Sequence, residues 1–453
     1  MSVETVGAGE WLAVAQRAVA MATAAGATEA EALVSADDAQ LTRFANSEIH
    51  QNVAETSASC NLRFVVGKRV GVASSGRTDD EGLRHLVERA GAIARVVEEL
   101  PDWAGLPQSG GRLGDLPAAF SAATASASPE RRAEGARAVI AAADAAGVIA
   151  YGSFATSTER LAVANSHGVE AAGERTSSQL ITVSMGPDGG TGYAEAAAVD
   201  VTAIDAAALG REASAKARAT ANARPLEAGD YPVVLEEHAV VDLMDMLGYL
   251  GFSALAIQEE RSFVELGKRI ASDLVTVTDD GSDPAGLPMA FDYEGVAKQR
   301  VPLLERGVCA GIVYDTQTAA RDGVRSTGHG LPAPNPYGPF PLNMVMDAGA
   351  TPRDELIAGI GRGLLVTRFH YTNPVHPKLG IVTGMTRDGT FLVEDGRIVA
   401  PVRNLRFTQS YPGALAAVSG VSRERRTLRG FLGGVVVPAL RIESFTFTGT
   451  TEH

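Results

Sequence analysis

Thr383-Gly-Met-Thr-Arg-Asp-Gly-Thr-Phe-Leu-Val-Glu-Asp-Gly-Arg-Ile398, closed by Pro401-Val402, is the stretch that decides how this chain folds. Thr390 to Glu394 and Arg397 to Val402 are short apolar runs rich in β-branched residues, and Asp395-Gly396 between them supplies the positive φ angles of a two-residue hairpin turn. Further short strands are predicted at Val275 to Thr278, Val308 to Tyr314, Leu364 to Tyr371, Ile381 to Thr383 and Ile442 to Phe447. Helical spacing predicts one helix from Ala239 towards Ile257, interrupted by Asp242 and Asp245, and a short one over Arg353 to Ala358. Residues 224–453 therefore read as a β-rich C-terminal domain.

Upstream the pattern alternates helix and sheet. Apolar spacing predicts a helix from Trp11 to Ala24, ending at Gly26. Strands follow at Glu31 to Ala36, Leu41 to Phe44 and Thr56 to Val65, the last turning through Val66-Gly67-Lys68 into Arg69 to Ala73. Thr78-Asp-Asp-Glu81 reads as a capping box opening a helix to about Val97. After the Pro/Gly-rich stretch Pro101 to Gly114, Ser128-Pro129 starts a helix to about Ala146. Strands at Val148 to Thr156, Arg160 to Ala164 and Ser178 to Met185 come next, with an Asn165-Ser-His-Gly168 turn, then a helix from Ala206 to about Ala221. The expected architecture is α+β: an N-terminal unit over 1–100 and a middle unit over 115–223, both with antiparallel sheets, ahead of the β-rich domain.

Composition narrows the classes of function. The net charge of −14 argues against a nucleic-acid surface and weakly favours basic partners or substrates. Cys60 and Cys309 are too few and too far apart for a metal pair or a disulfide framework. The start Met1-Ser-Val-Glu-Thr lacks the basic and apolar regions of a signal peptide, and no segment is apolar enough to span a bilayer, so a cytoplasmic location is expected.

Several segments resemble the TldD/PmbA family. Phe291-Asp-Tyr-Glu-Gly295, Arg300-Val-Pro-Leu-Leu-Glu-Arg-Gly307 and Val313-Tyr-Asp-Thr316 are similar to its acidic Glu-Gly segment and the strand that follows. Ser326-Thr-Gly-His-Gly330, Asn343-Met-Val-Met346 and the Thr383 to Val402 stretch continue the likeness, with a looser fit at Asn165 to Gly168 and in the Arg63 to Gly76 hairpin. The resemblance implies a β-rich C-terminal domain whose cleft holds an extended peptide. In the family's TldD branch it implies a zinc peptidase with a His-Glu-x-x-x-His helix and a further cysteine ligand. This chain departs at both places. Tyr231 to Leu247 holds one histidine, His238, with Asp242 where a second imidazole would stand, and Arg368 to Pro377 has His370 and His376 but no cysteine. Two imidazoles one helical turn apart are what let a helix grip zinc from one face.

The resemblance is thus to the TldE (PmbA) branch. It implies a subunit with no catalytic or metal-binding residue of its own, paired with a TldD-like partner that supplies zinc and the general base. Extended peptides, such as leader peptides or a labile antitoxin, are the implied substrates. A stand-alone peptide-binding or regulatory protein is the alternative, and an unusual metal site from His238, Asp242 and His370 or His376 is a third reading.

Candidate cleft residues are Asp292, Glu294 and Gly295 in one loop and Ser326, Thr327, Gly328 and His329 in another, both combining polar side chains with glycine. Carboxylates on a turn are also routine solvated caps, and His238 also fits a capping or interface role. Ser326 with His329 is no triad, since nothing places a third group behind the imidazole. Gly359-Ile-Gly-Arg-Gly363 follows a helix and precedes a strand, the reverse of a dinucleotide loop. Gly430 to Gly434 reads as a flexible turn, and the four arginines between Arg423 and Arg429 as a solvated or interface stretch.

Overall fold

The computed structural model describes residues 7–450 apart from Leu432, so the reading of Met1 to Thr5 and part of the Gly430 to Gly434 turn lie outside the described residues. Two sheets organise the chain. The first has six antiparallel strands, β1 (Glu29–Ala45), β2 (Glu48–Val66), β3 (Arg69–Ser75), β4 (Ile149–Asn165), β5 (Glu170–Met185) and β6 (Thr191–Ala198), in the order β3-β2-β1-β4-β5-β6. Because β1 pairs with β4 from Glu31↔Asn165 to Phe44↔Gly152, the units at 1–100 and 115–223 contribute three strands each to one sheet. Helices Ala8–Ala24 and Asp80–Val96 cover the first half and Pro129–Ala146 and Ala206–Ala219 the second, each burying an Ala/Leu/Val stripe.

Local chemistry explains where this differs from the sequence reading. β1 and β4 each run unbroken through polar centres that were expected to divide them. Those centres satisfy one another across the ladder: Arg160 Nη1 donates to Asp38 Oδ2 (2.7 Å) and Ser157 Oγ to Asp37 Oδ1 (2.6 Å). The capping box at Thr78 is corrected by one residue. Asp79 is the N-cap, its carboxylate accepting the Gly82 N–H at 2.7 Å, because Glu81 is drawn to Arg77 (2.7 Å) instead of back to the cap. Ser128 and Pro129 take the N-cap and N1 places as expected. β6 went unread, its alanine-rich run being a weak strand signal.

The second sheet is mixed and has eleven strands: β7 (Gly229–Leu235), β8 (Val277–Asp279), β9 (Val301–Glu305), β10 (Val308–Cys309), β11 (Met344–Met346), β12 (Arg362–His376), β13 (Ile381–Glu394), β14 (Arg397–Pro401), β15 (Leu405–Ser410), β16 (Val418–Arg429) and β17 (Gly434–Thr450). β17 pairs with β15 and with β7, and β7 pairs with β12, so β7-β12-β13-β15-β17 closes on itself as a small barrel. Phe369, Phe407 and Phe445 fill it, with ring centroids 4.6–5.5 Å apart. The hairpin that opened the reading is present: Asp395 and Gly396 have φ of 49° and 73°, and Glu394 pairs with Arg397.

The helix Glu237–Leu250 follows β7 directly. Leu243, Met244, Leu247 and Leu250 face the core. Residues 242, 245, 246 and 249, spaced at one and two helical turns, line the opposite side.

Candidate functional site

The two family-like loops meet, and their charged side chains are buried. Asp292 holds its own loop: Oδ1 accepts the N–H groups of Glu294 (3.0 Å) and Val296 (2.9 Å), and Oδ2 that of Gly330 (2.7 Å), which fastens the second loop to the first. Burial and the neighbouring Glu294 charge push the Asp292 carboxyl up. Gly295 needs to be glycine, since at φ 74° a Cβ would lie 2.6 Å from Val169.

Glu294 is a staple between the two sheets. Its Oε1 accepts from Arg63 Nη2 (3.2 Å) and its Oε2 from the Thr316 N–H (2.9 Å), while Arg63 also grips Glu31 Oε1 (2.8 and 2.5 Å). Burial, only partly offset by Arg63, raises the Glu31 carboxyl to about 7. His329 is wholly buried: Nε2 donates to Asp279 Oδ1 (2.8 Å) and Nδ1 takes the Thr327 hydroxyl (2.9 Å). Lys298 Nζ (3.0 Å) and the Asn343 N–H (2.8 Å) complete the shell of Asp279. Burial opposes the Asp279 charge, but Lys298 and His329 outweigh it and hold that carboxyl well below its usual range. Ser326 Oγ bonds Tyr314 O (3.2 Å) and accepts the Gly328 N–H (3.2 Å). Asp292, Glu294 and His329 thus frame the region instead of lining its opening.

The opening beside this frame is a cavity of about 1010 Å³. The helix supplies Asp242, Asp245, Met246 and Tyr249 to one wall, and the proline-rich loop 331–342 supplies Pro332, Pro334, Pro336, Tyr337 and Phe340 to another; Tyr293, between the two buried carboxylates, also reaches it. A smaller pocket of about 150 Å³ shares Asp242, Asp245 and Arg429 with it and is bordered by His238, Tyr193, Glu195 and Arg368. Asp242 is held by Thr372 Oγ1 (2.6 Å) and Tyr411 Oη (2.9 Å), and Asp245 Oδ2 accepts the Phe431 N–H (2.8 Å). Burial raises Asp242 to about 6 and Asp245 to about 7. His238 is buried edge-on against Tyr193 (5.0 Å), and neither ring nitrogen has a hydrogen-bond partner among the described residues. Burial, then the Lys216 and Arg426 charges, keep this imidazole neutral.

Of the residues in the third metal reading, His238 and Asp242 share the small pocket, whereas His370 is half-buried and His376 exposed on β12 outside it. No group of three or more His, Cys, Asp or Glu among the described residues is arranged to hold a metal ion. Cys60 and Cys309 are free and buried. Two of the four arginines reach the N-terminal part of the chain: Arg426 bonds Glu212 on the helix Ala206–Ala219 (2.6 Å) and Arg429 bonds Ser177 on β5. No helix among the described residues is long and apolar enough to cross a membrane. The sequence reading passed over Asp245, Tyr249 and the 331–342 loop. Asp245 was signalled by its spacing from Asp242 along the helix and the loop by prolines interleaved with aromatics, whereas Tyr249 lies in an apolar helical run.

Residues 228–449 match the PmbA/TldA metallopeptidase C-terminal domain and residues 30–94 match PmbA/TldA metallopeptidase domain 1. The chain belongs to the TldD/PmbA family. It is 29% identical over 232 residues to a metalloprotease of Methanothermobacter thermautotrophicus, covering 50% of each chain, and 28% identical over 267 residues to a metalloprotease TldD homolog of Haemophilus influenzae, covering 54% of each. The match therefore spans about half the length of these relatives. The crystal structure of TldE from Thermococcus kodakarensis superposes with a TM-score of 0.88 at 22% identity, over 96% of this chain and 100% of that one, a likeness of fold.

Proposed function

We propose that this chain is the non-metal subunit of a two-subunit zinc peptidase that cleaves extended peptides. The observation that carries this reading is the helix Glu237–Leu250. It stands on the cavity wall, yet presents His238, Asp242 and Asp245 where a zinc helix needs two imidazoles and a carboxylate base. Zinc, the general base and a strand edge for the peptide then come from a TldD-like partner, and this chain closes the chamber. Strand addition suits an unfolded substrate because it recognises backbone donors and acceptors with little regard to sequence.

The test is co-purification and assay. Expressed with a companion that carries His-Glu-x-x-x-His, this chain should form a stable complex that cleaves an unfolded peptide and loses that activity to a chelator, while the isolated chain cleaves none. A homodimer that binds peptides and recruits no such companion would support the stand-alone binding protein instead.

A further inference from the structure

The wall of the large cavity carries two carboxylates that no cation answers. Neither Asp242 nor Asp245 lies in an ion pair with the chain's described lysines, arginines or histidines, although 26 such contacts occur elsewhere. Their hydrogen bonds come from neutral groups only: two hydroxyls for Asp242, one backbone N–H for Asp245, whose Oδ1 has no partner among the described residues. Of the two arginines bordering the adjoining pocket, Arg368 is paired with Asp388 and lies over the face of Tyr193 (4.3 Å); Arg429, which also lines the large cavity, makes no ion pair with either aspartate and bonds Ser177 instead. His238 adds an independent sign. It is 8% exposed, lines the same pocket as both aspartates, and offers an unshared ring nitrogen where burial ordinarily demands a hydrogen-bond partner. A neutral imidazole and an unpaired carboxylate are both acceptors for an N–H-rich cation.

The remainder of the wall selects the kind of cation. Tyr249, Tyr293, Tyr337 and Phe340 stand around the cavity with the prolines of the 331–342 loop. Aromatic faces attract organic cations and an apolar lining accepts a methylene stem, whereas a bare metal ion would ask for more ligands than converge here. We propose that this cavity, with the small pocket that shares Asp242 and Asp245 with it, is a subsite for the cationic group of a peptide: an ammonium or guanidinium held by the two aspartates, with His238 of the small pocket as a further acceptor and the stem against the aromatic wall. The proposal rests on the reading that this chain shares a peptide chamber, and it makes basic peptides the preferred substrates of that chamber.

The purified full-length chain tests it without any partner, so a failure to assemble with a zinc subunit leaves this result untouched. Four decapeptides in EDTA-containing buffer are titrated calorimetrically: a central lysine or norleucine, each with a free or an acetylated amino terminus. A charge-assisted contact to an unpaired carboxylate should make the lysine peptide bind about ten-fold tighter than its norleucine isostere. If the amino terminus is the source of the ammonium, the same gap separates the free from the acetylated norleucine peptide. Asp245→Asn, shown folded by its melting profile, should erase the gap. Equal affinities across all four peptides overturn the proposal, as does the absence of binding by any. A preference that survives Asp245→Asn undiminished also overturns it. The wild-type comparison decides even if the variant does not fold.

Discussion

Two places in this molecule use the same kinds of residue to opposite effect. At the junction of the sheets, Asp279, Asp292, Glu294 and His329 are buried with their hydrogen-bonding capacity largely met by Lys298, Arg63 and backbone N–H groups. Asp242 and Asp245, half-buried on the cavity wall, and His238, buried at the small pocket beside it, have no ion-pair partner and, in His238, no hydrogen bond among the described residues. Residue type does not separate the two. What does is whether the chain itself completes the pairing, because a buried charge with its partners stabilises one arrangement, and one without them is a demand that a ligand can meet.

Breaking the frame should cost stability and altering the wall should not. The largest effect is expected at Arg63. Arg63→Ala leaves Glu31 and Glu294 buried without their shared cation, a loss of about 3–5 kcal/mol in denaturant titration of the purified chain. A loss under about 1 kcal/mol would place the pair among surface-like contacts and dissolve the contrast.

His329→Ala comes next. It removes the N–H that helps hold the Asp279 charge, while Lys298 stays in place and the Thr327 hydroxyl keeps its bonds to Tyr314, so about 2 kcal/mol is expected by the same titration. Reduced peptide cleavage by an assembled complex with undiminished stability would instead give His329 a role at the substrate.

The smallest effect is a gain. The folded Asp245 carboxyl titrates near 7 against 3.8 for an ordinary aspartate, raised by burial and then by Asp242 and only partly lowered by the Phe431 N–H. Between those values the folded state binds the proton that the unfolded state has released, so stability falls as pH rises from about 4 to 7 and stays lower above it. Asp245→Asn removes this penalty and keeps an acceptor for the Phe431 N–H. It should raise stability by about 1–2 kcal/mol at pH 8 and leave it unchanged near pH 4. A variant less stable than wild type at pH 8 would show that the Asp245 charge is satisfied within the chain after all.

The hairpin around Asp395-Gly396, the Ser128-Pro129 helix start and the short Arg353–Ala358 helix were legible because each rests on local backbone chemistry. β1 and β4 were each read as two pieces because the partners that satisfy Asp37 and Asp38 lie more than a hundred residues away. The same limit governs the site. Tyr249 was hidden in an apolar helical stripe, while the burial of His329 depends on Asp279 and Lys298, which its own loop gives no hint of. Asp242 and Asp245 were legible as interruptions of an apolar helix, and it takes the arrangement of β12, the 331–342 loop and the Arg429–Phe431 turn to show that they face a shared cavity.

The helix Glu237–Leu250 presents one imidazole where a zinc helix needs two. The most direct measurement is the zinc content of the purified, dialysed chain by inductively coupled plasma mass spectrometry, beside that of its complex with a His-Glu-x-x-x-His companion. Zinc should be far below one equivalent in the isolated chain and near one per heterodimer in the complex. One tightly held zinc per isolated chain would contradict the account.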